Sequence, residues 1–204
     1  MNARRLISEK SLWQSYKRQS IQEAVIRLMC REGLKSVTME RVAQEVGIAK
    51  GTVYLHYHDK KELLDEVKQS ALAPLMVALE VILRSDEAPS EKLRSYSHHY
   101  FSYFEERRDL FRILIYEREM TQGARYQSDR YRRLIQEIAR VIREGIRSGV
   151  FRDADAHKVA AMFIESNFAL LNQRLQSEKP APVEGDANLI ADVFLAGLEK
   201  RGRK

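Results

Sequence analysis

The sequence contains few of the features that stabilise secreted or membrane proteins. Of its 204 residues only Cys30 is a cysteine. A lone cysteine excludes a disulfide framework and a cysteine-built metal site, and it is typical of a reducing compartment. No run approaches the roughly 18 consecutive apolar residues of a membrane-spanning helix, and the opening MNARRLISEK lacks the apolar stretch of a signal peptide. We therefore expect a cytoplasmic protein with no membrane partner.

The sequence also lacks a recognisable catalytic motif. It has no P-loop and no Gly-x-Gly-x-x-Gly segment, and no Gly-x-Ser-x-Gly turn presents a nucleophile. His98 and His99 lie close to Glu105 and Glu106, but adjacent side chains on a helix point about 100° apart, so the two histidines do not share a face. We predict no enzyme activity, no cofactor and no metal, and a structural or solvent-facing role for the histidine pair.

Helix-breaking residues are scarce. Between Pro89 and Pro180 the chain contains only three glycines. Long segments rich in Leu, Arg, Glu, Gln and Ala favour helix, and no alternating strand pattern or Asn-Gly hairpin signal occurs. The apolar spacing predicts an all-α protein of about nine helices, the first four in the N-terminal third. Among them are short helices from Thr38 to Glu45 and from Ala49 to Tyr57, a long helix after Asp59, and two C-terminal helices at about 156–176 and 187–199 joined by a linker at 177–186.

Negative charge is scarce only in the first third of the chain. Residues 1–61 hold 12 Lys and Arg against 6 Asp and Glu, whereas the other 143 residues hold 23 of each sign, so the net charge of +6 lies entirely in the first third. A basic unit on a neutral body indicates a polyanionic partner, unless the asymmetry merely reflects a solvated surface. We predict two domains, 1–62 and 63–204.

Residues 38–57 have the pattern of a helix-turn-helix. Two short helices flank Val46-Gly47-Ile48, where the glycine supplies the positive φ of a sharp turn. In this arrangement the second helix lies in the major groove of DNA, where side chains such as Lys50 and Thr52 reach phosphates or base edges. The residues predicted to face outwards are Ala49, Lys50, Gly51, Thr52, Tyr54 and His56.

At these positions the chain resembles the TetR family of transcriptional regulators. The resemblance covers about residues 18–68 and rests on Val42-Ala43, Gly47-Ile48, Gly51-Thr52-Val53-Tyr54, Tyr57 and Lys60. It implies an N-terminal three-helix DNA-binding domain followed by a helical domain for effector binding and dimerisation. It also implies that Thr38, Tyr54 and Lys60 contact phosphates and that Lys50, Thr52 and His56 lie at or near base edges. Tyr57 joins these candidate DNA contacts, with core packing as the alternative.

The N-terminal arm is basic as well. We expect residues 1–8 to be disordered in solution, with entry of Arg4 and Arg5 into the minor groove as the alternative. Arg18, at the start of the first amphipathic run, is a further candidate for a phosphate contact.

The rest of the chain is rich in aromatic residues. Many tyrosine hydroxyls, and Asn167 on an apolar stripe, need hydrogen-bond partners that a pocket between helices supplies through ligand or water. The resemblance implies a small effector there, and the tyrosines suggest an apolar one. The candidate pocket residues are Tyr100, Phe104, Phe111 and Asn167. The last two helices carry small residues that permit close helix approach, and Ala169, Val193 and Gly197 are the candidate dimer contacts.

The sequence therefore predicts a ligand-responsive regulator, most simply a repressor that binds a palindromic double-stranded DNA operator as a homodimer and is released by a small apolar effector. A helical protein–protein adaptor with a basic N-terminal unit is the alternative, but it leaves the pattern in 47–60 unexplained. An enzyme with an N-terminal DNA anchor is the third hypothesis, and it lacks residues for chemistry.

Overall fold

The computed structural model describes residues 3–116 and 129–199. These residues form nine α-helices and no strand, which confirms the predicted all-α class. A short 3-10 turn, Leu34–Ser36, follows the first helix. Most of the loop predicted at 119–129 lies outside the described residues. The helices are α1 Ala3–Glu32, α2 Met39–Val46, α3 Lys50–Tyr54, α4 Lys60–Arg84, α5 Pro89–Glu106, α6 Arg108–Tyr116, α7 Asp129–Arg147, α8 Ala156–Gln176 and α9 Val183–Leu198.

Three helix boundaries differ from the predictions. The first helix already begins at Ala3, where we expected a disordered arm, because no Gly or Pro interrupts the chain before Gly33. The second helix of the helix-turn-helix stops at Tyr54 rather than Tyr57, since His56 N–H bonds the Val53 carbonyl three residues back, in a turn. The last helix starts within the predicted linker, directly after Pro182, whose fixed φ suits a helix entry.

The chain divides into two compact units, and the division falls inside α4, between Ala73 and Pro74. The first unit holds the chain up to that point and, of the described residues, also 113–116. The sequence-based boundary at 62/63 falls in the first turn of the same helix. The structure keeps the beginning of α4 with the first unit because its apolar side chains are fully buried there. The core of the first unit includes Ile21, Val25, Leu28, Met29, Val42, Val53, Leu63 and Val67.

The second unit is a bundle in which α5 lies against α9 and α7 lies against α8. Two buried cations join its helices. The Lys92 ammonium on α5 lies 3.1 Å from a Glu144 carboxylate oxygen on α7. The Arg174 guanidinium on α8 pairs with Glu105 at 2.8 Å and with Asp186 at 2.7 Å. These pairs fix the helices of the second unit through groups that are taken out of water.

Candidate functional site

The helix-turn-helix begins with a capped helix and continues through a left-handed turn. The hydroxyl of Thr38 accepts a hydrogen bond from the Arg41 backbone N–H at 3.2 Å, which caps α2. Gly47 closes the same helix with φ 75° and ψ 34°, the left-handed conformation that glycine adopts without steric cost. The Ile48 N–H then bonds the Ala43 carbonyl at 3.0 Å. The predicted turn at 46–48 is therefore present in the structure.

The inner faces of the two short helices are apolar and fully enclosed. Val42 on α2 and Val53 on α3 have no solvent exposure, and Ala43 is almost completely buried. These residues contribute to the core of the first unit, so α3 is held by its inner face while its outer face stays free for a ligand. A helix that enters a groove of DNA needs this arrangement, with one face anchored in the protein and the opposite face exposed.

The outer face of α3 carries small and polar residues. Ala49, Lys50, Gly51 and Tyr54 are exposed, whereas Thr52 and His56 are half-buried. A Cβ built on Gly51 would meet no atom within 4 Å, so internal packing does not require a glycine there. An open backbone at the start of α3 allows close approach of a DNA strand.

Lys50 already has a partner within the unit. Its ammonium forms an ion pair with the Glu40 carboxylate on α2 and lies 5.6 Å from the centre of the Tyr54 ring. The hydrogen bond to Glu40 raises the pKa of Lys50, and the same bond holds the pKa of Glu40 below its usual range. Both side chains are about half exposed. The predicted DNA contact of Lys50 therefore requires that its ammonium leave this carboxylate.

Lys60, the third predicted phosphate contact, begins α4. Its ammonium donates to the Leu34 carbonyl at 3.1 Å. Asp59 caps this helix as predicted, accepting from the Glu62 N–H at 2.8 Å, and the Glu62 carboxylate accepts from the His58 N–H at 2.6 Å. The remaining N–H groups and the helix dipole at this end favour an anion, and the phosphate contact of Lys60 stays a prediction.

Tyr57 is a core residue, which corrects its inclusion among the DNA contacts. It is 1% exposed, and burial raises the pKa of its hydroxyl. The Gln22 side chain donates to that hydroxyl at 3.2 Å, and the Arg18 guanidinium lies 5.1 Å from the ring centre. Arg18, predicted to bind phosphate, also pairs with Glu66. The tyrosine ring is therefore enclosed in the first unit.

The surroundings of His56 favour its neutral form. Burial lowers its pKa, and the positive charges of Arg18 and Lys17 lower it further. A neutral imidazole at this half-buried position can donate or accept one hydrogen bond to a base edge but adds no charge to the interface.

The structure adds an exposed aromatic pair on α1 that the sequence patterns did not predict. Trp13 and Tyr16 are 59% and 63% exposed, and their rings stack 6.0 Å apart. The Lys17 ammonium lies 5.3 Å from the Trp13 ring centre. The sequence does indicate their exposure, because both aromatics precede the amphipathic run that begins at Ile21 and lie outside its apolar stripe.

The candidate pocket residues come together in the second unit. The rings of Tyr100 and Phe104 lie 4.9 Å apart, and those of Phe104 and Phe111 lie 4.5 Å apart. Asn167 is fully buried, and its amide donates to the Phe163 carbonyl at 2.8 Å. The Phe163 ring contacts Tyr96 at 5.4 Å, and Tyr96 stacks on Tyr100 at 6.0 Å. A continuous row of rings therefore runs from Phe111 to the neighbourhood of Asn167.

The candidate dimer residues lie on exposed faces of the last two helices. Val193 is 62% exposed, and Ala169 and Gly197 are also exposed. Two further large apolar side chains on these helices, Met162 and Leu189, are more than half exposed as well. The Gly197 carbonyl accepts from Arg152 at 2.6 Å, and a Cβ at Gly197 would have open space.

One histidine of the pair on α5 contacts a neighbouring helix. His98 lies 2.9 Å from the Asn188 side-chain oxygen, so it is half-buried against α9. Within residues 3–116 and 129–199, no three His, Cys, Asp or Glu side chains are placed to hold a metal ion. Nor is any helix in these ranges long and apolar enough to cross a membrane.

Two family profiles match this architecture. The profile of the bacterial regulatory proteins of the tetR family matches residues 21–67, and that of the tetracyclin repressor-like C-terminal domain matches residues 86–169. The chain belongs to the TetR family.

Curated relatives are similar at the N-terminal region. An uncharacterised HTH-type transcriptional regulator of Haemophilus influenzae is 39% identical over 62 residues, and an HTH-type transcriptional regulator of Staphylococcus aureus strain USA300 is 42% identical over 55 residues. These matches cover 30% and 27% of this chain and 33% and 30% of the relatives. The chain thus spans about a third of the length of the curated relatives that it matches.

Solved structures share the fold over almost the whole chain. PfmR, a TetR family transcriptional regulator of Thermus thermophilus, is 26% identical with a TM-score of 0.63, over 88% of this chain and 99% of that one. SmeT, the repressor of the Stenotrophomonas maltophilia multidrug efflux pump SmeDEF, is 24% identical with a TM-score of 0.73, over 91% of each chain. The complex of SmeT with triclosan has a TM-score of 0.74, at 23% identity over 91% of this chain and 92% of that one.

Proposed function

We propose that this protein is a DNA-binding transcriptional regulator that acts as a homodimeric repressor on a palindromic operator and is released by a small apolar effector. The observation that carries the DNA-binding part is α3, which is anchored by the buried Val53 and presents Lys50, Gly51 and Tyr54 to solvent. The whole net positive charge lies in residues 1–61, which include this helix. A positive unit with one exposed short helix after a tight turn suits the major groove of DNA.

The proposed dimer uses the exposed apolar faces of α8 and α9. Met162, Leu189 and Val193 are each more than half exposed, and burying them against a symmetry mate would remove this apolar surface from water. Two recognition helices on a two-fold axis read half-sites roughly 34–36 Å apart, which explains why a palindromic operator is expected.

The proposed effector binds along the row of rings that contains Tyr100, Phe104 and Phe111. The buried Asn167 at the end of this row adds a polar group to an otherwise apolar wall, and a pocket with few polar groups is usual for small-molecule sites. The complex of the structural relative SmeT with triclosan supports a small apolar effector for this fold. Release requires that the effector bind the conformation that does not bind DNA more tightly, and a coupling of about 1–3 kcal/mol weakens DNA binding roughly 5–150-fold.

The decisive experiment is selection of bound sites from random double-stranded DNA with the full chain. The proposal expects an enriched inverted repeat whose affinity falls steeply with salt. Metabolite fractions are then tested for release of the protein from that site. The adaptor hypothesis expects no enriched DNA sequence, and the DNA-anchored enzyme expects binding without an inverted repeat.

The dimer is tested with Gly197→Arg. A charged side chain fits the open space around Gly197 within one chain but would be buried in the proposed interface. Sedimentation should show a folded monomer with weak operator binding, and Gly185→Arg, at another exposed position on α9, serves as the control that remains a dimer. An intact dimer for Gly197→Arg would exclude this interface.

A further inference from the structure

Two buried polar groups of the second unit have no partner among the described residues. Asn167 and Ser97 are both fully buried. The Asn167 amide nitrogen donates to the Phe163 carbonyl, whereas its side-chain oxygen accepts no hydrogen bond, and the Ser97 hydroxyl makes none. A buried acceptor that is left unsatisfied opposes folding, so such groups in native proteins usually meet a partner such as ligand or water.

Asn167 adjoins a contact between the aromatic rings of α5 and α8. The Phe163 ring lies 5.4 Å from the Tyr96 ring on α5, and Asn167 is one turn beyond Phe163 on α8. The surrounding side chains are aromatic, since Tyr96 stacks on Tyr100 and Phe163 meets Phe194 at 5.3 Å. An isolated acceptor beside aromatic rings recognises a molecule with a flat apolar body and one O–H or N–H group.

The charges of the second unit indicate a neutral ligand. Its two buried cations in the described ranges, Lys92 and Arg174, are already paired with carboxylates of Glu144, Glu105 and Asp186. An anionic ligand would have to displace one of those carboxylates or remain unpaired in a buried site, and both are costly.

We propose that the effector is a neutral aromatic molecule that donates one hydrogen bond to the side-chain oxygen of Asn167. This inference rests on the proposed function, because it names the chemistry of the effector in that function.

The test uses three probes of similar size and different hydrogen bonding: 4-pentylphenol, 4-pentylanisole and 4-pentylbenzoate. Binding to the full-length protein is measured by titration calorimetry, and release from the selected operator is measured by fluorescence anisotropy. The phenol should bind roughly tenfold more tightly than its methyl ether, because only the phenol satisfies the acceptor. The benzoate should bind more weakly than the phenol.

The variant Asn167→Leu removes the acceptor and keeps the volume. It should lower the affinity for the phenol to that for the ether, while the operator affinity without ligand stays within a few-fold. Asn172→Leu, five residues further along α8 and so about 140° around the helix, is the matched control that should keep the preference for the phenol. The comparison of phenol with ether in the unmodified protein needs no variant and keeps the test decisive if Asn167→Leu does not fold.

The outcomes separate this inference from the proposed function. If the ether binds and releases DNA as well as the phenol, the donor to Asn167 is excluded while the effector-responsive regulator stands. A stronger effect of the benzoate would exclude the neutral class. If no probe binds, the inference is wrong. The metabolite screen for operator release then decides, independently, whether the protein responds to any effector.

Discussion

The two units of the chain differ in whether any of their ion-paired cations is buried. In the first unit the ion-paired cations, among them Lys50, Arg31 and Arg41, have side chains that are 39–53% exposed. In the second unit Lys92 and Arg174 form ion pairs although their side chains are only 4% and 3% exposed. All four buried polar or charged residues of the described chain lie in the second unit. Among the described residues, the ion pairs of the first unit therefore lie where they can change partner, whereas the second unit also has buried pairs that fix its helices and two buried uncharged polar residues.

This difference agrees with the proposed roles of the two units. A surface ion pair contributes about 0–1 kcal/mol and is screened by salt, so a phosphate can replace its carboxylate at little cost. Breaking a buried pair leaves an uncompensated charge and costs several kcal/mol. A DNA-binding surface needs the first kind of pair, and a bundle that must keep its form around a ligand needs the second kind.

The largest effect is expected for Arg174→Ala. The guanidinium joins Glu105 on α5 to Asp186 on α9 and also donates to the Ala181 carbonyl at 2.7 Å. Burial disfavours the charge, but the bonds to Asp186 and Glu105 keep the pKa of Arg174 above its ordinary value. Removing the cation should lower the free energy of unfolding by about 3–5 kcal/mol, since Asp186 and Glu105 both lose their bond to Arg174, although Glu105 keeps its pair with Arg108.

The control for that prediction is Arg94→Ala. Arg94 pairs with Asp192 between the same helices, α5 and α9, but is one-third exposed. Its loss should cost only about 0–1 kcal/mol. Urea unfolding of both variants at one fixed protein concentration makes the comparison. Equal losses would show that burial does not distinguish the pairs.

The second largest effect on stability is expected for Gly145→Ala, which tests the packing of the second unit. A Cβ at Gly145 would overlap the ring of Phe151, which is fully buried and whose N–H bonds the Gly145 carbonyl at 2.9 Å. The variant should lose about 1–3 kcal/mol of stability through overpacking. Gly185→Ala, with open space on α9, should instead be neutral or stabilising. If thermal unfolding shows both variants equally stable, the ring can move and the unit is less tightly fixed than we infer.

The sequence predicted local features better than long-range ones. The turn at Gly47, the caps at Thr38 and Asp59, and the burial of Val53 follow from a few neighbouring residues, and the structure contains all of them. Tyr57 was included among the DNA contacts for its hydroxyl and flat ring, with core packing as the alternative, but α3 ends at Tyr54 and Tyr57 is buried.

The buried charges could not be predicted in the same way. Arginine side chains are usually exposed. Arg174 can be buried only because it pairs with Glu105, 69 positions earlier in the chain, and with Asp186. The Lys50–Glu40 pair likewise joins two helices, so the sequence pattern of either helix alone does not predict it. The candidate effector and dimer residues were found by spacing on helix faces, and their roles remain predictions.

The first unit is tested by removal of a single cation, in Lys60→Ala. Lys60 lies at the start of α4 and is only half-buried, so a phosphate can reach its ammonium beside the Leu34 carbonyl. Operator affinity should fall roughly tenfold near 0.1 M salt, and the dependence of the logarithm of affinity on that of salt should decrease by about one unit. Affinity for unrelated sequences should fall by the same factor. A changed preferred sequence with an unchanged salt dependence would contradict a phosphate contact.

The smallest effect, and the most direct test of exchangeable surface charge, is expected for Glu40→Gln. The bond from Lys50 holds the pKa of Glu40 below its usual range, so the carboxylate stays ionised at neutral pH and competes with DNA for the ammonium. Because the depressed pKa lies below the ordinary glutamate value, operator affinity of the unmodified protein should show no titration of Glu40 between about pH 6 and 8.

Glu40→Gln removes the competing charge, and it should raise operator affinity roughly two- to five-fold at low salt, with less gain at high salt. Lys50→Met completes a double-mutant cycle. In the Lys50→Met background, Glu40→Gln should raise operator affinity much less, because the cation that the carboxylate held is gone. An equal gain with and without Lys50 would mean that Glu40 acts only through the net charge of the unit, and that the pair does not exchange its partner for DNA.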